Sequence, residues 1–380
     1  MSPDLLLIAP YHGGHHAEFV RWLLQGGRQR DAHIVLAASS TLLSELTDDL
    51  AFEPQHAVPL ASADALTGTS GWAQVRATAT VLNEASRVDA RRSFLMYLDQ
   101  AIPPLALGLG PRTDRMSGLL FRSPYREADP MGSALRLALR RRLLQRAGRQ
   151  MDTVFSLDPE APALLQGLGL QSVYAPDPVE PSTPCQSEAE VRAAYGVEPG
   201  RRLAVLFGSL EERKGLFALA DALCEMDVGS RLAVVVAGRT YPEVRPRLVK
   251  ALARVEDESD VQVIFREGFL SESDLVNLTA AADVVLAPYL GHVGSSGVVL
   301  RSAAAGTPLI AQSTGQIGRE VRQNKLGWTL DPADTSAFAR TLGTAVAEPT
   351  ATFDPADARR YVEGHQVDRF TSAILDRLLA

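Results

Sequence analysis

Two cysteines in 380 residues, Cys185 and Cys224, are too few and too widely spaced for a disulfide framework or a cysteine metal site. A reducing compartment fits them best. Positive charge is not in excess, since 38 Lys+Arg stand against 45 Asp+Glu and leave a net charge of −7. That argues against a nucleic-acid partner, whose phosphates select for basic surfaces. Lysine itself is nearly absent, with Lys214, Lys250 and Lys325 as the three examples. No apolar run approaches the ~18 residues of a membrane span. The opening MSPDLLLIAP has an acid and no cation before its short apolar run, unlike a secretory leader, so a cytoplasmic protein is expected.

What is present is globular: 46% hydrophobic and 22% charged residues, in a length natural for two domains. Apolar runs of strand length alternate with helical patterns. In the first half these are LLLIA (5–9), HIVLAA (33–38), SFLMYLD (93–99), SGLLFRS (117–123) and DTVFSLD (152–158). Their polarity does not alternate, as expected of parallel strands buried on both faces. Around 175–190 the chain becomes APDPVEPSTPCQSEAE, a proline-rich linker. LAVLFG (203–208), LAVVVAG (232–238), VQVIFREG (261–268), DVVLAPY (283–289) and PLIAQS (308–313) then repeat the pattern. The expected class is α/β, with two Rossmann-like domains facing each other. The expected spans are 1–178, 179–355, and a closing helical segment over 356–380.

Ligands of open parallel sheets bind beyond the carboxyl ends of the strands, so the loops there carry the chemistry. After the first strand, Gly13 and Gly14 would let backbone approach an anion at a helix start. His15 or His16 could take a proton from a hydroxyl, or form part of a polar turn. Asp99 closes SFLMYLD; it could orient His15, bind a sugar hydroxyl or cap the next helix. In LFGSLEERKGLFALADAL, Gly208 ends a strand, and Arg213 and Lys214 precede a helix. Two cations and backbone amides there would neutralise a departing diphosphate without a metal ion. Arg266, Glu267, Gly268 and Phe269 follow the next strand but one, where backbone and an apolar wall could grip a base. In GSSGVVLRSAAAG, Gly294, Ser295, Ser296 and Gly297 would present amides and hydroxyls at a helix amino terminus, an anion site. Arg301 is the one charge in that apolar run. No metal site and no dissociable cofactor is expected.

The RKG segment after Gly208, the linker APDPV, FREGFLSESDLVNLTAAADVVLAPY and AAAGTPLIAQSTGQIGREV together resemble the GT-B glycosyltransferases, particularly family 4. The resemblance implies two Rossmann-like domains across a cleft. It also implies a nucleotide-diphosphate sugar held mainly by the second domain, a hydroxyl acceptor on the first, and a carboxy-terminal helix crossing back. Arg213 and Lys214 match the family's diphosphate-binding pair, and Glu320 fits its later GREV position. The family's two glutamates, which contact donor sugar and ribose, fall on Val293 and Arg301. Val293 cannot accept a hydrogen bond through its side chain and Arg301 can only donate, so donor recognition must differ. Arg301 could reach a phosphate, pair with an acid, or mark a lost contact.

The Gly-His loop also resembles that of family 1, where a histidine acts as base and an aspartate orients it. His15 and Asp99 could play those parts. Family 1 inverts the anomeric centre and family 4 retains it; the closer match in the second half favours retention. The expected function is a metal-independent, retaining glycosyltransferase. A nucleotide-sugar epimerase of the same fold and a non-catalytic nucleotide-sugar-binding subunit are the alternatives. SALRLALRRRLLQRAGRQ (133–150) holds six arginines in a helical pattern, which raises peripheral contact with the inner membrane face against a simply solvated helix.

Overall fold

A computed structural model of the chain describes residues 2–12, 16–47, 56–66, 69–109, 116–122, 134–226 and 231–380. The chain forms two compact units, Met1–Pro178 with Gln366–Ala380, and Val179–His365. The division falls inside the proline-rich segment.

Among the described residues the first unit holds seven parallel strands: β1 (Leu5–Ala9), β2 (Ile34–Ala38), β3 (Ala57–Pro59), β4 (Arg92–Leu95), β5 (Met116–Leu120), β6 (Val154–Ser156) and β7 (Ser172–Tyr174). Their order is β3-β2-β1-β4-β5-β6-β7. All five residues of β1 are buried, because helices cover both faces of the sheet. Leu5, Leu7 and Ala9 join one apolar core, and Leu6 and Ile8 the other. This is the two-residue period of a strand placed between two layers. The last helix, Val367–Leu378, belongs to this unit; its Phe370, Ile374, Leu375 and Leu378 enter the core of Leu5 and Leu7.

Among the described residues the second unit has six parallel strands: β8 (Arg202–Phe207), β9 (Leu232–Gly238), β10 (Gln262–Glu267), β11 (Val284–Ala287), β12 (Leu309–Gln312) and β13 (Gly327–Leu330). Their order, β10-β9-β8-β11-β12-β13, is that of a dinucleotide-binding fold. Leu203, Val205 and Phe207 face one core and Ala204 and Leu206 the other. The helix Pro355–Gly364 packs on this unit through Ala358, Tyr361 and Val362, with Tyr361 Oη donating to the buried Glu320 carboxylate at 3.0 Å. The segment that rejoins the first unit therefore starts at Gln366, not at residue 356.

In each sheet the connections reverse direction at one place, between β1 and β4 and between β8 and β11. Loops leave those strand pairs in opposite directions, which opens a crevice at their carboxyl ends.

Candidate functional site

In the second unit the crevice is built around a row of glycines. Gly208 N–H donates to Ala237 O at 3.0 Å, and Gly268 N–H to Gly238 O at 3.0 Å. The strand ends approach so closely that a Cβ on Gly238 would lie 1.8 Å from Gly208 O, at a φ of +148° that L side chains rarely adopt. Beyond Gly208 the chain makes a single 3₁₀ turn, Glu212–Lys214, and reverses at Gly215 into the helix Leu216–Cys224. Gly215 stands against the carbonyl of Pro288, the residue after β11's end. Leu290 N–H donates to Arg213 O at 2.8 Å, so the loops after β8 and β11 are joined by backbone.

The two cations of the RKG segment have different environments. Arg213 is 41% exposed and gripped at both carboxylate oxygens by Glu211, at 2.9 and 3.0 Å. Lys214 is 9% exposed. Its ammonium donates to Tyr289 Oη at 2.8 Å and lies 4.3 Å from the centroid of the same ring. Among the described residues no carboxylate pairs with it. A buried cation normally has an anionic partner. Tyr289, which sequence patterns did not single out, thus forms the floor of the site. The signal available was only a tyrosine at a strand's carboxyl end.

Tyr289 Oη also lies 3.2 Å from Ser296 Oγ. Ser296 is the N-cap of the helix Gly297–Ala305 and accepts from Val298 N–H at 3.3 Å. Within the Gly294–Gly297 loop, Ser295 O accepts from His292 Nε2 at 2.8 Å, so that nitrogen carries the proton. Gln312, at the end of β12, clamps the start of the loop. Its amide donates to His292 O at 2.6 Å and accepts from His292 N–H at 3.1 Å. Gly208, Lys214, Ser296 and the loop through Gly297 therefore converge, with Tyr289 linking them.

Arg266 and Glu267 end β10, two strands from β8, and Gly268 and Phe269 follow it. All four are exposed; Glu267 pairs with Arg245 at 2.8 Å, and Phe269 is 81% exposed. An uncovered phenyl ring at this edge is available to a flat apolar group. Arg301 does not face solvent as a free cation. It pairs with Glu272 of the helix Glu272–Ala281, and both line a cavity of about 320 Å³ with the 179–184 segment. Of the three readings open in the sequence, pairing with an acid is the one found.

In the first unit, Gly13, Gly14 and His15 lie outside the described residues. His16 opens the helix His16–Arg28, with its ring 4.4 Å from that of Tyr97. Tyr97 in turn stacks on Phe121 at 4.1 Å. Tyr11, after β1, meets Tyr97 edge-on and donates to Gln100 Oε1, which also accepts from Gln74 Nε2. Burial pushes the Tyr11 phenol up to about 12 and raises that of Tyr97 as well. The carboxyl ends of β1, β4 and β5 thus carry an aromatic cluster with polar edges.

Asp99 departs from its expected place. The strand stops at Leu95 and Asp99 lies in the first turn of the helix Leu98–Ala106. Its carboxylate accepts from Phe121 N–H at 2.9 Å and Arg122 N–H at 3.0 Å. It anchors the end of β5, rather than capping its own helix. Burial pushes its carboxyl up to about 6, although these two N–H donors pull it down.

Among the described residues no group of three His, Cys, Asp or Glu side chains is placed to hold a metal ion. No helix among them is long and apolar enough to cross a membrane.

Residues 201–348 match the family model described as glycosyl transferases group 1. Among curated relatives, a D-inositol 3-phosphate glycosyltransferase of Rhodococcus jostii is 28% identical over 196 residues, 50% of this chain and 42% of its own length. An alpha-maltose-1-phosphate synthase of Mycobacterium tuberculosis is 27% identical over 214 residues, 55% of this chain and 52% of its own. The match thus spans about half the length of these relatives. Among solved structures, sucrose-phosphate synthase from Thermosynechococcus elongatus aligns over 100% of this chain and 99% of its own, with TM-score 0.72 and 16% identity. Anabaena HepE in complex with UDP aligns over 100% and 99%, with TM-score 0.68 and 16% identity. At that identity the likeness establishes the fold. The group 1 glycosyl transferase match thus runs from the residue before β8 past β13, within the second unit, and the chain as a whole has the GT-B fold of these solved structures.

Proposed function

We propose that the protein transfers a sugar from a nucleoside-diphosphate donor to a hydroxyl acceptor, without a metal ion and with retention at the anomeric carbon. The observation that carries this is Lys214, a buried ammonium with no carboxylate partner among the described residues, beside a helix amino terminus at the β8–β11 crevice. Such a position suits the charge of a departing diphosphate, and a preorganised donor there stabilises charge without reorganisation. Arg213 adds a second cation once it leaves Glu211. The base would lie toward Phe269 and Gly268, and the sugar against the loop of His292 to Gly297. The acceptor side belongs to the aromatic cluster of Tyr11, His16 and Tyr97 in the first unit.

In the reaction the bond from the anomeric carbon to the diphosphate breaks as the acceptor oxygen bonds to that carbon. The acceptor's proton passes to the departing diphosphate. Names of relatives and neighbours support this class of chemistry: an inositol-phosphate glycosyltransferase, and HepE solved with UDP-glucose.

The test is an Arg213→Ala/Lys214→Ala double variant, assayed with a panel of nucleotide sugars and sugar or polyol acceptors. Transfer should fall by about 10²–10³-fold, the scale seen for loss of preorganised charge stabilisation. Transfer at the wild-type rate would remove these residues from the leaving-group site. Proton NMR of the anomeric signal in the product separates retention from inversion. A free epimerised sugar formed from donor alone would favour the epimerase.

Peripheral membrane contact is also proposed. The helix Ala134–Gly148 has no acid and exposes Leu135 (78%) and Leu139 (57%) beside Arg140, Arg142 and Arg146. Its other half is anchored by buried Leu144, Ala147 and Gly148. Exposed leucines among arginines suit an anionic bilayer surface.

A further inference from the structure

Lys214 has one hydrogen-bond partner among the described residues, the hydroxyl of Tyr289. That hydroxyl is 2% exposed with its ring and cannot be served by bulk water. Its oxygen accepts from the ammonium at 2.8 Å, and it stands 3.2 Å from Ser296 Oγ. Ser296 Oγ also accepts from Val298 N–H. A count of donors and acceptors then sets the direction of the string. If Ser296 donated to Tyr289, the phenolic proton would have no acceptor. If Tyr289 donates to Ser296, every one of these protons is used except two kinds: the remaining N–H bonds of Lys214 and the hydroxyl proton of Ser296. Both belong to groups that one phenolic oxygen holds in place.

These free donors stand in the loops that follow β8 and β11, which are neighbours in the sheet. The exposed phenyl of Phe269 follows β10, two strands from β8 and three from β11. With the base seated at Phe269, the phosphate farther from it is the second of the nucleotide, and that is the one these donors are proposed to meet.

We propose that Tyr289 is a positioning residue that sets a preference for nucleoside diphosphates over monophosphates, by holding Lys214 and Ser296 toward one terminal phosphate. This rests on the donor site proposed above. Tyr289→Phe keeps the ring beneath the ammonium and removes the oxygen that joins the two donors. Ser296→Ala removes one donor, together with the acceptor of the Tyr289 proton and the cap of the helix, and leaves the bond between Lys214 and Tyr289.

The experiment is titration calorimetry of the full chain with UDP, GDP, ADP and their monophosphates, alongside thermal unfolding of each variant. The base bound most tightly by the wild type is then used throughout. Tyr289→Phe should weaken the diphosphate by about tenfold, the loss of a hydrogen bond to a charged group, and the monophosphate by less than about twofold. Ser296→Ala should reproduce part of that selective loss, with an unfolding midpoint lowered by a few degrees through the loss of the helix N-cap. Equal weakening of both ligands, or an unchanged ratio in both variants, would overturn the role of Tyr289 while leaving the donor site intact. If the wild type bound none of the diphosphates, the donor site itself would fall, and this role with it.

Discussion

Arg301 is paired with Glu272 across two neighbouring helices, one beginning after the Gly294–Gly297 loop and the other after β10. The guanidinium is 16% exposed and the carboxylate 49%. The charge that looks misplaced in an apolar helix is therefore a tie between the two loops that would hold a donor. Arg301→Ala should lower stability by about 1 kcal/mol, in the range of a pair with one exposed partner. It should leave nucleoside-diphosphate affinity within about twofold. Urea midpoints and calorimetry on the same samples check both; a large affinity loss at unchanged stability would place Arg301 on the ligand instead.

Glu211 holds Arg213 at both oxygens and competes with any phosphate for it. Glu211→Gln should free the guanidinium and tighten nucleoside-diphosphate binding severalfold. The salt dependence of binding should steepen as well, because one more mobile cation would face the ligand. Titrations at low and high ionic strength measure both effects.

Gly238 has no room for a methyl group. A Cβ would meet Gly208 O at 1.8 Å, on a backbone with φ +148°. Gly238→Ala should destabilise the second unit by about 3 kcal/mol or more, combining a backbone clash with an unfavourable φ. It should also abolish nucleotide binding by parting the ends of β8 and β9. Thermal unfolding and calorimetry would detect the two losses together.

Asp99 gives the fold a pH signature. Its carboxyl is raised from 3.8 to about 6 in the folded protein, so the folded state binds more protons between those values. The contribution of this group is fully present below pH ~4 and is lost as pH rises through about 6, a change of about 3 kcal/mol. Asp99→Asn should flatten the stability profile over that window. Urea denaturation at pH 4 and pH 7 tests it, and an unchanged difference between the two would contradict the raised carboxyl.

The arginine-rich helix offers a separate measurement. Sedimentation with vesicles of phosphatidylcholine alone and with added phosphatidylglycerol should show binding only to the anionic mixture, weakened by salt. Leu135→Ser/Leu139→Ser should release the protein while preserving nucleotide binding. Equal binding to both vesicles, or to neither, would remove the membrane from the proposal.

Most central strands were legible because burial on both faces writes them as unbroken apolar runs; β1, β8 and β9 are examples. β3, β7 and β13 were missed. They lie at sheet edges, run three or four residues and are only partly buried, so no apolar run marks them. SFLMYLD read as one strand because hydrophobicity continues from β4 into the next helix without a break. The RKG segment and the GSSG loop read as anion-binding patterns in the sequence, and the fold brings them to one crevice. That Lys214 is buried while Arg213 is already paired was not legible, since both read simply as cations.

The sequence by itself determined two parallel α/β units, a division within the proline-rich segment, and the glycine-bearing loops that follow the strands. Those follow from local rules: strand-length apolar runs, helix periodicity, and glycine where backbone must turn. Tertiary structure decided which groups meet. Tyr289 lies 75 residues from Lys214 in the chain, Asp99 reaches Phe121 from another element, and Arg301 finds Glu272 on another helix. No local pattern encodes such pairs, because they depend on strand order and on how closely the loops at the crevice approach one another.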